Sequence, residues 1–563
     1  MQTTKRQQSQ PFPFHMLFTA ALPVLGLYLL HVHSTAPGEL VLHGVAMLLA
    51  AFSAWVVFAV VTGNAMKAGF IVSLGLFIFF GYSALWEAVA LVQVEGFDFH
   101  REEYPLGLAA LLFVVGSCII LALPQVVGLT RLANVCSLML VVAAVVGIFY
   151  RTNKEETPRR HLEGVPVSSD MLSPPSSLPD IYYVVLEGYS RADTLEDVYG
   201  LDISEFVTDL KTQGFYVAEG STTNYAEAAH NLTASLNLTY LDSIASSTDK
   251  ATLPAWVPAA FRGQAHFNVL TENLQENHLF PLLRRLGYSI VGLPTGWTPT
   301  EHVPVDHRLR GPAGWSEFQT GLLNLTPLRT LLDMVGEFNP LEDHRIRVNY
   351  VFDSIPQLAA PSESDSSPKF VFAHLRCPRY PFTFNKNGGR QPASRRGFSW
   401  SGVSEESGSS VMDLPGYASQ MEYVNTRVKA MVTHILSRSK NPPIIVLQGG
   451  HGPSAECDPQ TPDSTCFKER FPIFNAFYLP QNGSEALYPS ISPVNTFRVI
   501  LNQYFGAQLR ILEDRNYWST AAEPLRFEDV TERVQPKVEV EVQTMEKPGV
   551  DAQTTDTKEH TKS

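Results

Sequence analysis

The chain has 563 residues, 45% of them hydrophobic, and carries a formal charge of −13 from 42 basic and 55 acidic side chains. That acidic balance argues against nucleic acid as a partner, and five cysteines do not make a disulfide framework. The length accommodates a membrane part plus one large domain, or two to four ordinary domains, and long apolar runs fall almost wholly before residue 151.

Residues 1–13 are polar, with Lys5 and Arg6, and predict a cytoplasmic N-terminus. Five apolar runs follow, near 14–32, 39–62, 69–93, 105–124 and 132–150. Each approaches the ~20 residues that carry a helix across a ~30 Å hydrocarbon core, so 14–150 is expected to be a bundle of about five transmembrane helices. Because the first run is followed by others, it reads as a span and not as a removable signal peptide. Pro23 and Glu87 interrupt the runs. A carboxylate such as Glu87 within a span faces the bundle, the interface or a functional path. Lys5 and Arg6, Lys67 and Arg131 fall on one side, which the positive-inside rule makes cytoplasmic. The loop over 94–104, with Glu95, Asp98, Glu102 and Glu103, and the large C-terminal part then lie outside. Arg151, Lys154, Arg159 and Arg160 oppose that orientation, with Glu155 and Glu156 among them. Cys118 and Cys136 read as packing residues in apolar runs, and Cys377 stands alone. Cys457 and Cys466 bracket a short Pro/Asp/Ser/Thr loop, spaced to pair in an oxidising compartment.

Residues 151–178 form a charged, then Pro/Ser-rich linker with Pro174-Pro175. From Asp180 the pattern is globular. Ile181–Leu186 predicts a strand ending at Glu187-Gly188. Helical spacing covers 194–213, and an Ala/Leu-rich helix is expected over 226–241, with another over 273–287 leading into Tyr288–Val291. Phe370–Ala373 predicts a strand ending at His374. A helix over 417–437 precedes the apolar strand Ile444–Leu447, which runs into Gly449-Gly450-His451-Gly452. Alternating strands and helices imply a doubly wound, largely parallel α/β sheet covered on both faces. Segments 361–368 and 388–411 read as loops, the second long enough for a lid. The charged tail, 519–563, is expected to be disordered.

Three strands therefore end in polar groups, Glu187, His374 and His451. Strand ends of an open α/β sheet converge on one crevice, and a carboxylate with imidazoles there suits zinc or manganese. Each group also has a structural explanation: Glu187 as a carboxylate at a helix N-terminus, His374 as a hydrogen-bonded core histidine, and His451 as an incidental residue of a glycine turn.

Several ordered motifs resemble the sulfatase/alkaline phosphatase superfamily. They are Asp180–Tyr189, Thr223-Asn224-Tyr225 before an Ala/Leu/Ser helix, Phe370–His374, Pro378–Phe382, Ile444–Pro453 and Arg470–Asn475. Together they span roughly 179–518. The layout of five spans followed by a catalytic domain is similar to membrane-anchored bacterial lipoteichoic acid synthases and phosphoethanolamine transferases. The resemblance implies an alkaline-phosphatase-like fold on the outer side of a bacterial inner membrane. It also implies a metal-dependent sulfuric or phosphoric ester hydrolase or phosphotransferase, in which a metal-activated hydroxyl attacks the ester and a covalent intermediate passes to water or an acceptor alcohol.

Carried over position by position, the first-strand carboxylate is Glu187 and the late histidine is His451. The carboxylate beside that histidine falls at Gly450, the nucleophile falls at Ala228, and a substrate histidine is replaced by Arg379, while His374, Pro378, Pro381 and Phe382 keep the frame. Three functional positions depart together, which removes the covalent route itself. The sequence therefore points to a degenerate, non-catalytic envelope protein that binds an anionic lipid or glycan, or serves an active paralogue or envelope-assembly partner. The alternative is an active enzyme with relocated groups, drawn from Thr222, Thr223, Thr233 or Ser235 as nucleophile and Glu227 or His230 as ligands. A third possibility places the function in the spans, at Glu87.

Overall fold

The computed structural model describes residues 10–32, 35, 37–90, 103–153, 162, 172–173, 177–248, 259–312, 314–334, 340–360, 367–391, 414–453, 464–520 and 523–535. The expected loops over 361–366 and 392–411, the N-terminal nine residues, the acidic loop from 91 to 102 and Cys457 lie outside the described residues.

The N-terminal part forms α1 (His15–Leu30), α2 (Pro37–Thr62), α3 (Ala65–Phe80), α4 (Tyr82–Ala90), α5 (Glu103–Ala122) and α6 (Val127–Asn153). Three of these, α2, α5 and α6, are long and apolar enough to cross a membrane, whereas α1 and α3 are shorter apolar helices. The run expected to be one span over 69–93 is divided at Gly81, where α3 ends. Glu87 lies in α4, but its side chain is outside the described residues. Lys67 Nζ donates to the Leu121 carbonyl at the end of α5, 2.6 Å away, a favourable place for a cation on a helix C-terminus.

The domain begins with β1 (Ile181–Leu186), α7 (Ala192–Tyr199), α8 (Ser204–Thr212), β2 (Tyr216–Val217) and α9 (Ala228–Asn237). Next come α10 (Asp242–Thr248), α11 (Ala259–Gln275), α12 (Leu279–Arg285), β3 (Ser289–Gly292), α13 (Thr298–Glu301) and β4 (His307–Arg308). Then follow α14 (Glu317–Asn324), α15 (Leu328–Met334), α16 (Pro340–Leu358), β5 (Lys369–Leu375), α17 (Leu414–Arg438) and β6 (Ile444–Gly449). The chain continues through α18 (Ser464–Arg470), β7 (Asn475–Tyr478), α19 (Pro493–Phe505), β8 (Tyr517–Thr520), β9 (Glu523–Asp529) and α20 (Thr531–Val534). The helix expected over 194–213 is two helices, because Gly200 takes a left-handed conformation and closes α7.

Among the described residues these strands make a seven-stranded sheet in the order β2-β7-β6-β1-β5-β3-β4. Strands β6, β1, β5, β3 and β4 run parallel, β7 runs against them, and β2, antiparallel to β7, shares the direction of the other five. All six residues of β1 are buried, as are those of β6, which explains their unbroken apolar sequences. Successive side chains of β1 serve opposite faces. Tyr182, Val184 and Leu186 pack with α7, α8, α16 and α17, while Ile181, Tyr183 and Val185 pack with α9, α12 and α19. The fold is thus an α/β sheet covered on both faces.

The domain does not stop at 518. Beyond the expected boundary, β8 and β9 pair and Leu525 joins Tyr225, Leu241 and Leu270 in a buried cluster, while Val530 packs with Trp518, Phe467 and Phe471. Charged residues alternate with apolar ones in β9, so the segment reads as polar along the chain although one of its faces turns inward. Residues 536–563 lie outside the described part of the chain. If Leu525 is core, Leu525→Ala should cost about 2–4 kcal/mol, read as a lower denaturation midpoint of the detergent-solubilised chain. A solvated tail position would stay within about 0.5 kcal/mol.

Candidate functional site

The ends of β1, β5 and β6 lie side by side, with Val185 opposite His374 on one flank and Leu186 opposite Gly449 on the other. The chain leaving β1 turns at Gly188, whose φ of +78° favours glycine. A Cβ there would lie 2.7 Å from Arg379 Cα, so the glycine admits the loop after β5 against the β1 end. Arg379 N donates to the Glu187 carbonyl at 2.7 Å, and Tyr417 Oη donates to the Gly188 carbonyl at 2.7 Å. Buried Gln420 of α17 holds the rest of that loop. Its amide nitrogen donates to the carbonyls of Pro378 at 3.0 Å and Arg379 at 3.1 Å, and its oxygen accepts from Thr383 N at 2.7 Å.

These supports converge on Glu187, a fully buried carboxylate. His374 Nε2 stands 2.7 Å from Glu187 Oε1, Arg379 Nη1 3.4 Å from Oε2, and Arg376 Nε 3.5 Å from Oε2. The second ring nitrogen of His374 is 3.1 Å from Thr300 Oγ1, and Trp297 lies against both the imidazole and Arg376. Burial opposes ionisation of Glu187, yet the charges of His374, Arg379 and Arg376 outweigh it and hold the carboxyl well below the usual carboxylate range. One carboxylate faces two guanidinium groups here. Sequence reasoning did not single out Arg376, which lies one residue past β5 and carried no motif signal.

Gly450 sits beside this cluster. Its N–H donates to the Leu186 carbonyl at 3.0 Å, and its carbonyl accepts from Thr223 Oγ1 and Asn231 Nδ2, each at 3.0 Å. The start of α9, where Ala228 stands, is therefore tied to the β6 end. None of Gly449, Gly450 and Gly452 has a positive φ, so none is required for backbone conformation. Gly449 and Gly452 are needed for close approach, because a Cβ would fall 2.4 Å from the Tyr189 carbonyl oxygen and 1.9 Å from that of Glu469. At Gly450 a Cβ would make only ordinary contact, 3.4 Å from Glu187 Cγ. Neither sterics nor backbone demands glycine at that position.

His451 is buried, and its Nδ1–H donates to the Gly452 carbonyl at 2.8 Å, which leaves the lone pair of the neutral ring on Nε2. The relocated candidates are engaged elsewhere. Thr222 Oγ1 accepts from Asn516 and Gln535, and Thr233 Oγ1 donates to the Ala229 carbonyl. Ser235 lies against the Tyr183 hydroxyl. His230 Nε2 donates to the Pro524 carbonyl at 2.6 Å, between the rings of Tyr225 and Phe527. Burial lowers its pKa to about 4. Glu227 pairs at 3.0 Å with the buried Arg470, which also donates to the Ala226 and Gly452 carbonyls.

The zinc or manganese ion implied by the family resemblance does not fit this arrangement. Glu187 Oε1 already faces His374, Oε2 faces Arg379 and Arg376, and Gly450 has no side chain to offer as a ligand. Like charges about 4 Å apart repel by about 4 kcal/mol at an effective dielectric of ~20, and a dication doubles that. Among the described residues no group of three His, Cys, Asp or Glu is placed to hold a metal ion.

No protein-family model and no curated protein matches the chain. Solved structures do match. The integral membrane lipooligosaccharide phosphoethanolamine transferase A of Neisseria meningitidis aligns at 14% identity and a TM-score of 0.37, over 88% of this chain and 95% of its own. The C-terminal periplasmic domain of EptC from Escherichia coli aligns at 11% identity and a TM-score of 0.38, over 65% of this chain and 96% of its own. A zinc complex of the same domain aligns at 12% identity and 0.36. The chain is similar to membrane-anchored phosphoethanolamine transferases. At these identities the likeness concerns the fold, and side-chain roles rest on this chain's own geometry.

Glu187→Gln would leave buried Arg376 and partly buried Arg379 beside a neutral amide, and a broken buried pair costs about 3–5 kcal/mol. A depressed carboxyl pKa contributes stability above the unfolded value of about 4.3 that is lost as pH falls below it. Buried His344, lowered to about 3, and His230 also favour the folded state above about 6.5 and weaken it as pH falls from there. Thermal unfolding should thus show Tm declining from pH 7 to 4. Glu187→Gln should lower Tm throughout and remove the part of the decline below about pH 4.5.

Proposed function

We propose that this is a membrane-anchored, sulfatase-like protein of the cell envelope whose extracytoplasmic domain keeps the fold but has exchanged metal-dependent ester chemistry for recognition of an anion. The observation that carries this reading is the ion-pair cluster at the β1 end, where Glu187 is engaged by His374, Arg379 and Arg376. A carboxylate neutralised by guanidinium groups has no need of a metal, and guanidinium is the side-chain group whose geometry suits phosphate, sulfate or carboxylate ligands. Ala228 and Gly450 agree with it, since neither a hydroxyl to attack phosphorus or sulfur nor a second carboxylate stands at those places. The ligand we propose is an anionic envelope lipid or glycan, with an active paralogue or an assembly partner as the protein that uses it.

The orientation rests on two supports. Lys67 and Arg131 mark the opposite end of the bundle from the α6–domain junction. Cys466 is disulfide-bonded, which suits an oxidising compartment, although its expected partner Cys457 is outside the described residues. We keep five spans, with α1 and the α3–α4 pair as the shorter two, because that number places the domain outside.

A second reading, an active hydrolase or phosphotransferase, is favoured by one observation. The Nδ1–H donation of His451 is the arrangement by which metal-ligating histidines are oriented. Metal content of the purified full chain separates the two. Less than about a tenth of an equivalent of zinc or manganese, no turnover of aryl phosphate or sulfate with any divalent ion, and saturable binding of glycerophosphate or a sulfated glycan that falls at least tenfold in Arg379→Ala are expected. Stoichiometric tight metal, or turnover abolished by His451→Ala, would establish the enzyme instead.

A further inference from the structure

The excursion of the domain between β4 and α16 packs against the membrane helices. Ser316 begins α14 as a capping box with Gln319, and its hydroxyl donates to Glu39 Oε2 in the first turn of α2 at 2.8 Å. Phe318 and Leu322 of α14 are buried together with Val24, Tyr28 and Val32, and Leu27, Leu40, Met47 and Ile148 pack around them. Phe318 meets Tyr28 at 6.4 Å and His43 at 5.7 Å between ring centroids. The approach to α1 is close at Gly321, where a Cβ would lie 3.2 Å from Leu27 Cδ2.

The depth of this contact follows from helix geometry. Helix α2 has 26 residues, about 39 Å at 1.5 Å per residue, against about 30 Å of hydrocarbon. Met47 lies ten residues into α2, about 15 Å along the axis. Even if the whole excess length of α2 projected on the domain side, Met47 would stand several ångströms inside the hydrocarbon. The apolar cluster around α14 therefore reaches past the headgroups. Trp315, half-buried at its entry, is the residue type that favours that level.

Helix α15 follows α14 after Pro327, and there Leu328 and Leu331 are exposed, at 39% and 48%. They are three residues apart and so share one helix face. Exposed leucines are ordinary one by one, but these two follow directly on α14, whose Phe318 and Leu322 are buried among the membrane helices. From this position we propose that α14–α15 is a membrane-seated foot, with Leu328 and Leu331 inserted among the acyl chains of the outer leaflet. The occupant of that face is lipid. The proposal does not depend on what the Glu187 site binds. It has a consequence for that site, because the foot leads into α16, whose His344 is near Arg376 and Glu187. The height of the anion site above the bilayer is set by how this segment seats.

The test uses the full chain in nanodiscs of phosphatidylethanolamine and phosphatidylglycerol, with Cys118→Ser and Cys136→Ser to remove the exposed thiols. A nitroxide is attached at Leu331→Cys and, separately, at Leu328→Cys. The reference sites are Val60→Cys, on the outward surface of α2, and Glu205→Cys, on the solvent face of α8. The ratio of collision rates with oxygen and with a water-soluble nickel chelate reports depth. Both foot positions should give a ratio close to that of Val60→Cys and at least about fivefold above Glu205→Cys. A ratio equal to that of Glu205→Cys at either foot position overturns the proposal, as does protection from both reagents, which would mean that protein covers the face.

Discussion

A buried carboxylate has to be compensated, and in this chain the compensation of Glu187 organises everything around it. An isolated carboxylate in such a place would take up a proton or unfold its surroundings. Here three strands and two loops are fitted so that one imidazole and two guanidinium groups reach its two oxygens. The loop that brings Arg379 crosses directly over the β1 end, which only a glycine at 188 permits. Its carbonyls at Pro378 and Arg379 accept from Gln420 of α17, and Tyr417 of the same helix donates to the Gly188 carbonyl. The arrangement is a chain of dependencies: glycine for approach, amide for satisfaction, arginine for charge.

A metal site and an arginine-neutralised carboxylate are alternative answers to the same electrostatic demand. A dication collects several carboxylates and neutral imidazoles, whereas a guanidinium brings its own charge on a fixed stem and tolerates few other cations nearby. Gly450 is informative in this respect. Its backbone has an ordinary conformation and a Cβ would make only ordinary contact, 3.4 Å from Glu187 Cγ. Arg376 and Arg379 already stand beside Glu187.

The membrane part contributes placement. Most of the domain hangs from α6 by a linker that lies largely outside the described residues, with Leu162 N donating to Asn273 Oδ1 at 2.8 Å and Ser173 N to the Phe505 carbonyl at 2.8 Å. A tether alone would leave the domain free to turn. The packing of Phe318 and Leu322 against Tyr28 and Val32, with the Ser316–Glu39 hydrogen bond at its rim, gives it a second point of attachment and so a defined orientation to the bilayer.

Sequence alone determined the elements whose signal is local. Ile181–Leu186 and Ile444–Leu447 read as buried parallel strands because a strand covered on both faces needs an unbroken apolar run. The apolar series before residue 151 read as membrane helices for the same compositional reason, and the ends of β1, β5 and β6 were expected to meet because strand ends of an open α/β sheet converge. Where a signal was averaged over a window it misled. The split at Gly200 within 194–213, the break at Gly81, and β9 with its alternating charges all depended on single residues or on which face packs. What only the tertiary structure decided was partnership. No spacing along the chain indicates that Arg376 and Arg379 close on Glu187, that His230 is spent on the Pro524 carbonyl, or that Ser316 reaches Glu39 across 277 positions. Those contacts join residues far apart in sequence, and their energies arise from burial and proximity, which exist only once the sheet has formed.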